Sequence, residues 1–101
     1  MKKLAVIGDP EFNVGFMLAG VTEHYDVKSD EDLVKAVQDV LDRDDIGVVI
    51  IRHDYMRKLP PTLKRLIDER VEPTFVSVGG TGGVEEIREK IRKAIGVDLW
   101  K

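Results

Sequence analysis

Residues 46–51 read Ile-Gly-Val-Val-Ile-Ile, the most hydrophobic run in the chain. A strand turns successive side chains to opposite faces, so an apolar run without polar alternation needs cover on both sides. That is the environment of a central strand in a parallel sheet. A parallel neighbour is reached only through a crossover, usually a helix. The run therefore demands helices before and after it, and more strands beside it.

The rest of the chain supplies them. Leu4–Ile7 is a short apolar strand ended by Gly8-Asp9-Pro10. Phe12–Ala19 reads as a short helix with Phe12, Phe16 and Ala19 on one face and Gly20 as its stop. A weaker strand follows at Thr22–Val27. Ser29 or Asp30 caps a helix whose Leu33, Val37, Val40 and Leu41 recur at helical spacing. Asp42–Asp45 is a polar break before the apolar run. Asp54–Lys58 makes a short helical turn. Pro60-Pro61 opens a helix carrying Leu63, Leu66 and Ile67 and ending near Arg70. Thr74–Val78 is the fourth strand. The alternation predicts an α/β fold: a four-stranded parallel sheet with helices on both faces, of the receiver, flavodoxin or Rossmann-like kind.

Residues 1–78 form this sheet domain. Residues 79–83, Gly-Gly-Thr-Gly-Gly, are a glycine hinge. Residues 84–101 form a C-terminal helical tail, with Val84, Ile87, Ile91 and Ala94 in a narrow apolar stripe and charge elsewhere. The 101 residues suit one domain. A net charge of −3 gives no basic character to draw nucleic acid. No cysteine is present, which excludes thiol chemistry and fits a reducing cytoplasm. The apolar N-terminal stretch is broken by Gly8, Asp9, Pro10 and Glu11, too soon for a secretion signal. No run approaches the ~20 apolar residues of a membrane helix.

The strand-to-helix turn at Gly8-Asp9-Pro10 stands where nucleotide folds hold phosphate. It lacks G-x-G-x-x-G, Pro10 removes a backbone donor, and Asp9 and Glu11 bring negative charge. Asp9 reads instead as a helix cap. The second glycine cluster lacks the Lys-Ser/Thr pair of a phosphate loop. His24 and His53 stand alone, without ligand spacing. Cofactor, metal and catalytic residues are therefore not expected. A response-regulator receiver resembles the chain in placing acids after the first and third strands, Asp9 and Asp54. Its chemistry also needs paired acids at the first position and a lysine after a fifth strand. A small-molecule site at the strand ends, around Asp9, Arg52 and Ser77, is a further reading. Trp100 either anchors in a partner or folds back on its own domain.

"LAVIGD", then "GFMLAGV", "DDIGVVIIRHDYM" and the closing "AIGVDL" together resemble the F subunit of the archaeal and bacterial A/V-type rotary ATPases. The similarity runs in order through nearly the whole chain. It implies a non-catalytic central-stalk component that binds the coiled-coil D subunit of the stalk and turns with it inside the A3B3 head. Its C-terminal tail would reach the head, and the membrane ring would be met only indirectly. The implied location is cytoplasmic, peripheral on the cell membrane. The family's Gly-Phe-x-Leu-Ala-Gly falls on Gly15, Phe16, Leu18, Ala19 and Gly20. With Gly8 and Asp9 it is read as structural, Phe16 and Ala19 facing the sheet and the glycines permitting close packing. Relatives often carry proline or lysine before the last helix, where this chain has its glycines. The partner interface is expected on the tail: Val84, Ile87, Arg88, Ile91, Arg92, Ile95 and Trp100. Its charges also form i,i+4 pairs, Glu86–Lys90 and Glu89–Lys93, worth only about 0.2–0.5 kcal/mol each.

Overall fold

The run at 46–51 is the third of four strands and lies inside the sheet. The computed structural model describes residues 2–79. The tail expected over residues 84–101, with Val84, Ile87, Arg88, Ile91, Arg92, Ile95 and Trp100, and all of the glycine joint beyond Gly79 lie outside the described residues.

The element order is β1 (Lys3–Gly8), α1 (Pro10–Leu18), β2 (Glu23–Asp26), α2 (Asp30–Asp42), β3 (Ile46–Arg52), α3 (His53–Lys58), α4 (Pro61–Glu69) and β4 (Thr74–Val78). The sheet order is β2-β1-β3-β4 and every pairing is parallel. β1 and β3 are the inner pair, with Val6 opposite Ile50 and Ile7 opposite Ile51. Val48, Val49, Ile50 and Ile51 are all essentially inaccessible to solvent.

The two faces of β1 and β3 build two separate cores. Ala5, Ile7, Val49 and Ile51 pack with Leu33, Val37, Val40 and Leu41 of α2 and with Leu63 and Ile67 of α4. Val6, Val48 and Ile50 pack on the other face with Phe16, Val21 and Val78. Among the described residues, α1 is the helix on that second face. The α/β sheet with helices on both faces is thus as expected. Leu66 differs from its neighbours on α4 in being 41% exposed.

Local chemistry sets the helix ends. Asp9 caps α1 by accepting from the Phe12 N–H, and Pro10 occupies the first turn, where its missing N–H costs nothing. Helix α1 therefore begins two residues earlier than its apolar pattern suggested. Its C-terminus closes with the Gly20 N–H on the Met17 carbonyl and the Val21 N–H on that of Phe16. This double closure requires a left-handed residue, which Gly20 supplies at φ 111°. Val21 then returns into the core beside Phe16. Ser29, not Asp30, caps α2, its Oγ accepting from the Asp32 N–H at 3.1 Å.

Of Gly8, Gly15 and Gly20, Gly8 is the one that close packing requires. A Cβ there would collide with the Phe12 ring and stand 3.0 Å from Asn13 Oδ1. Gly15 departs from the expected close packing, since a Cβ there would meet nothing within 4 Å.

Ile51→Ala deletes a fully buried side chain under α2 and α4. It is expected to lower the unfolding free energy by about 2–5 kcal/mol, read as a lower urea midpoint at unchanged m. Leu66→Ala should cost about 1 kcal/mol or less in the same titration.

Candidate functional site

The carboxyl ends of parallel strands are where sheets of this type hold ligands, beside the point where the strand order reverses. Here that point lies between β1 and β3. Arg52 closes β3, and its guanidinium spans the gap. Nη1 donates to Asp9 Oδ1 at 2.6 Å. Nε and Nη2 form a two-pronged pair with Asp54, at 3.1 and 3.0 Å. The guanidinium carbon also lies 4.9 Å from the centre of the Tyr55 ring, a cation–π distance.

The acids after the first and third strands are therefore joined through a fixed cation of the chain itself. A divalent metal would have to displace a guanidinium held by both carboxylates. Asp54 lies in the first turn of α3 and not at the strand's end, because β3 continues through Arg52. Ser77 sits in β4 opposite Ile51, and the described hydrogen bonds of the Arg52 cluster do not include it. The structure thus brings together Asp9, Arg52 and Asp54 but not the Asp9, Arg52 and Ser77 set. His24 and His53 lie on separate elements, β2 and α3, and do not form a pair. Among the described residues, no three His, Asp or Glu side chains converge on a metal position.

Burial alone would raise the pKa of the Asp9 carboxyl. Hydrogen bonds from Arg52 and the Phe12 N–H outweigh it and hold the group below its ordinary 3.8. The same Asp9 contact raises the Arg52 pKa further.

Asn13 does not stand out in the hydrophobic pattern of α1, yet it is the helix's most deeply buried residue. Its amide nitrogen donates to the Gly8 carbonyl at 3.0 Å, the Tyr25 carbonyl at 2.9 Å and Asp26 Oδ1 at 2.8 Å. Two protons serve three acceptors, so one is shared. The amide ties α1 to the ends of both β1 and β2. At the opposite end of the sheet, Arg43 does similar work. It donates to Glu23 at 2.7 Å, to both oxygens of Asp45 and to the Tyr25 hydroxyl, which in turn donates to Asp39. The Arg43 hydrogen bonds pull the Glu23 and Asp45 carboxyls below their usual range. The sequence marked residues 42–45 only as a polar break.

A sequence model of the family described as ATP synthase (F/14-kDa) subunit matches residues 4–95. The chain belongs to this family of ATP synthase F subunits. It is similar to the A-type ATP synthase F subunit of Archaeoglobus fulgidus, 76% identical over 101 residues that cover 100% of both chains. It is similar to the A-type F subunit of Methanococcoides burtonii, 48% identical over 99 residues, covering 98% of this chain and 99% of that one. Among solved structures it resembles the V-type ATP synthase F subunit of Archaeoglobus fulgidus, with a TM-score of 0.74 and 65% identity. That match covers 77% of this chain and 98% of the other. As an F subunit, the chain is one component of a multi-subunit, membrane-associated A/V-type ATP synthase, whose work is ATP synthesis and ion transport. Among its described residues, no helix is long and apolar enough to cross a membrane.

A carboxyl whose folded pKa lies below its unfolded value adds stability above that unfolded value. The contribution is lost as pH falls through the folded pKa. Asp9 should therefore stabilise the protein at neutral pH and cease to do so well below 3.8. Arg52→Met is expected to flatten this acid limb, so that the urea midpoint falls less between about pH 5 and 2 than in the native chain. Asn13→Ala leaves buried acceptors without a donor and should cost about 1–3 kcal/mol in the same measurement at pH 7.

Proposed function

We propose that this F subunit is a non-catalytic rotor part of the central stalk. It binds the coiled-coil D subunit of the stalk, turns with it inside the A3B3 head, and helps couple ATP turnover to ion translocation through the membrane ring. The observation that carries the non-catalytic part is the Arg52 bridge. The strand-end position that would hold a phosphate or a metal is occupied by an internal ion-pair cluster of Asp9, Arg52 and Asp54. Asp9 also spends its other oxygen on capping α1. What remains for such a domain is its surface, and family membership supports a surface that meets other components of the complex.

In this reading the sheet domain is the part held on the coiled-coil partner. The tail, through Val84, Ile87, Arg88, Ile91, Arg92, Ile95 and Trp100, makes a second contact toward the head. The protein works on the cytoplasmic side, peripheral to the cell membrane, and meets the membrane ring only through its partners.

Mixing the full chain with the D subunit from the same genome at micromolar concentration should give a one-to-one complex by size exclusion with light scattering. Truncation before Val84 should preserve that complex while weakening association with the assembled A3B3 head. Two separate peaks from folded partners would overturn the stalk assignment.

A further inference from the structure

Helices α1, α2 and α4 each bury side chains in the core, but α3 buries none. It has six residues. A helix that short gains too little from its own hydrogen bonds to stand alone in water. Arg52 precedes it without a side-chain cap, and the Leu59 N–H behind it donates to the Met56 carbonyl at a long 3.4 Å. The chain on either side is fixed, since Ile51 is inaccessible to solvent and Leu59 is 3% exposed. Between these anchors α3 meets the core only through the partly buried Tyr55 and Met56. Its other ties are polar: the two-pronged Arg52–Asp54 pair, the Arg52 guanidinium on the Tyr55 ring, and the 3.0 Å bond from Lys64 Nζ to the Arg57 carbonyl. Ion pairs this exposed hold weakly. Few buried contacts and exposed polar ties mark a segment that opens more readily than the sheet beside it.

We infer that α3 is a strap that opens independently of the sheet, anchored at Ile51 and Leu59 and latched by the Arg52–Asp54 pair, and that its opening uncovers Val27 and Leu33. The inference does not rest on the stalk reading, and neither falls with the other. What lies under the strap is a cavity of about 110 Å³. Tyr55 and Lys58 line it from α3, and Val27, Ser29 and Leu33 line it from the start of α2 and the turn before it. Val27 and Leu33 are buried, and Tyr55 packs against the core that contains them. Arg52 suits the latch because Asp9 already holds it. Nη1 is engaged by Asp9, which leaves Nε and Nη2 presented to Asp54. A guanidinium fixed in this way loses less freedom when it grips a second carboxylate. The grip is electrostatic and half-exposed, so salt loosens it. The apolar contacts that hold β3 and α2 have no such sensitivity.

Amide hydrogen exchange in the full chain reads the opening. The amides of Met56, Arg57 and Lys58 close the helix's own i→i−4 bonds. They should exchange roughly a hundredfold faster than those of Val49, Ile50 and Ile51. Asp54→Asn should raise exchange at these three positions about three- to tenfold and leave β3 unchanged. Sodium chloride at about 1 M should do the same to the native chain and little to the variant. In an Arg52→Met background the Asp54→Asn effect should vanish, whereas a carboxylate acting only on the helix dipole would keep it. The chain has no cysteine, so the thiol of Leu33→Cys reports the uncovering alone. Its labelling by a thiol reagent should quicken when Asp54→Asn is added. Labelling of Val37→Cys, inaccessible on the same helix, should not. Exchange of α3 at the rate of β3 would place it in the sheet's own cooperative unit and overturn the strap. An Asp54→Asn effect that is absent, or that persists without Arg52, would overturn the latch. Labelling of Leu33→Cys no faster than that of Val37→Cys would overturn the uncovering.

Discussion

The two-sided burial of β3 is the constraint on which the rest of the molecule depends. Its side chains from Val48 to Ile51 alternate between two cores, and neither core can be left open without exposing Val or Ile. Each such side chain contributes about 1.5–3 kcal/mol when withdrawn from water. Half-exposed ion pairs contribute about 0–1 kcal/mol each. The apolar strand therefore decides the architecture, and the charged groups are arranged around it. Parallel pairing with β1 and β4 satisfies the backbone of β3. It also forces every connection to cross a face, which is how α1 comes to lie on one side and α2 and α4 on the other.

The polar groups close the two ends of that sheet. At the carboxyl end, Arg52 holds Asp9 and Asp54 while Asn13 holds the last carbonyl of β1, at Gly8, and the Tyr25 carbonyl near the end of β2. At the amino end, Arg43 gathers Glu23, Tyr25 and Asp45. These contacts fix where strands end and where the crossing helices start. They also engage both oxygens of Asp9 and the Arg52 guanidinium at the strand ends, while Asn13 Oδ1 stays buried without a hydrogen-bond partner among the described residues. The same fold serves many functions, and fold alone does not assign one here.

The motif Gly15-Phe16-x-Leu18-Ala19-Gly20 shows how one short segment divides its labour. Phe16 faces the core, Gly20 closes the helix, and Leu18 faces outward. Read as a string, the motif looks structural throughout. In space, Phe16 and Gly20 serve the domain and Leu18 does not. The glycine that packing does require is Gly8, outside that motif, where the Phe12 ring and the Asn13 amide press on the backbone.

The sequence by itself determined the alternation of strands and helices, the buried centre at 46–51, the cap at Asp9, the start of α2 at Ser29 or Asp30, and the glycine stop at Gly20. These depend on periodicity and on residues within a few positions of one another, so a one-dimensional reading reaches them. It carried the family as well, through four segments in order. Only the tertiary structure decided that Asn13 is buried, that Arg52 reaches Asp9 across 43 positions, and that Arg43 binds Glu23 across 20. It alone showed that Gly15 faces open space. Each of these depends on which strand lies next to which, and the order β2-β1-β3-β4 is a property of the packed sheet that no local window contains.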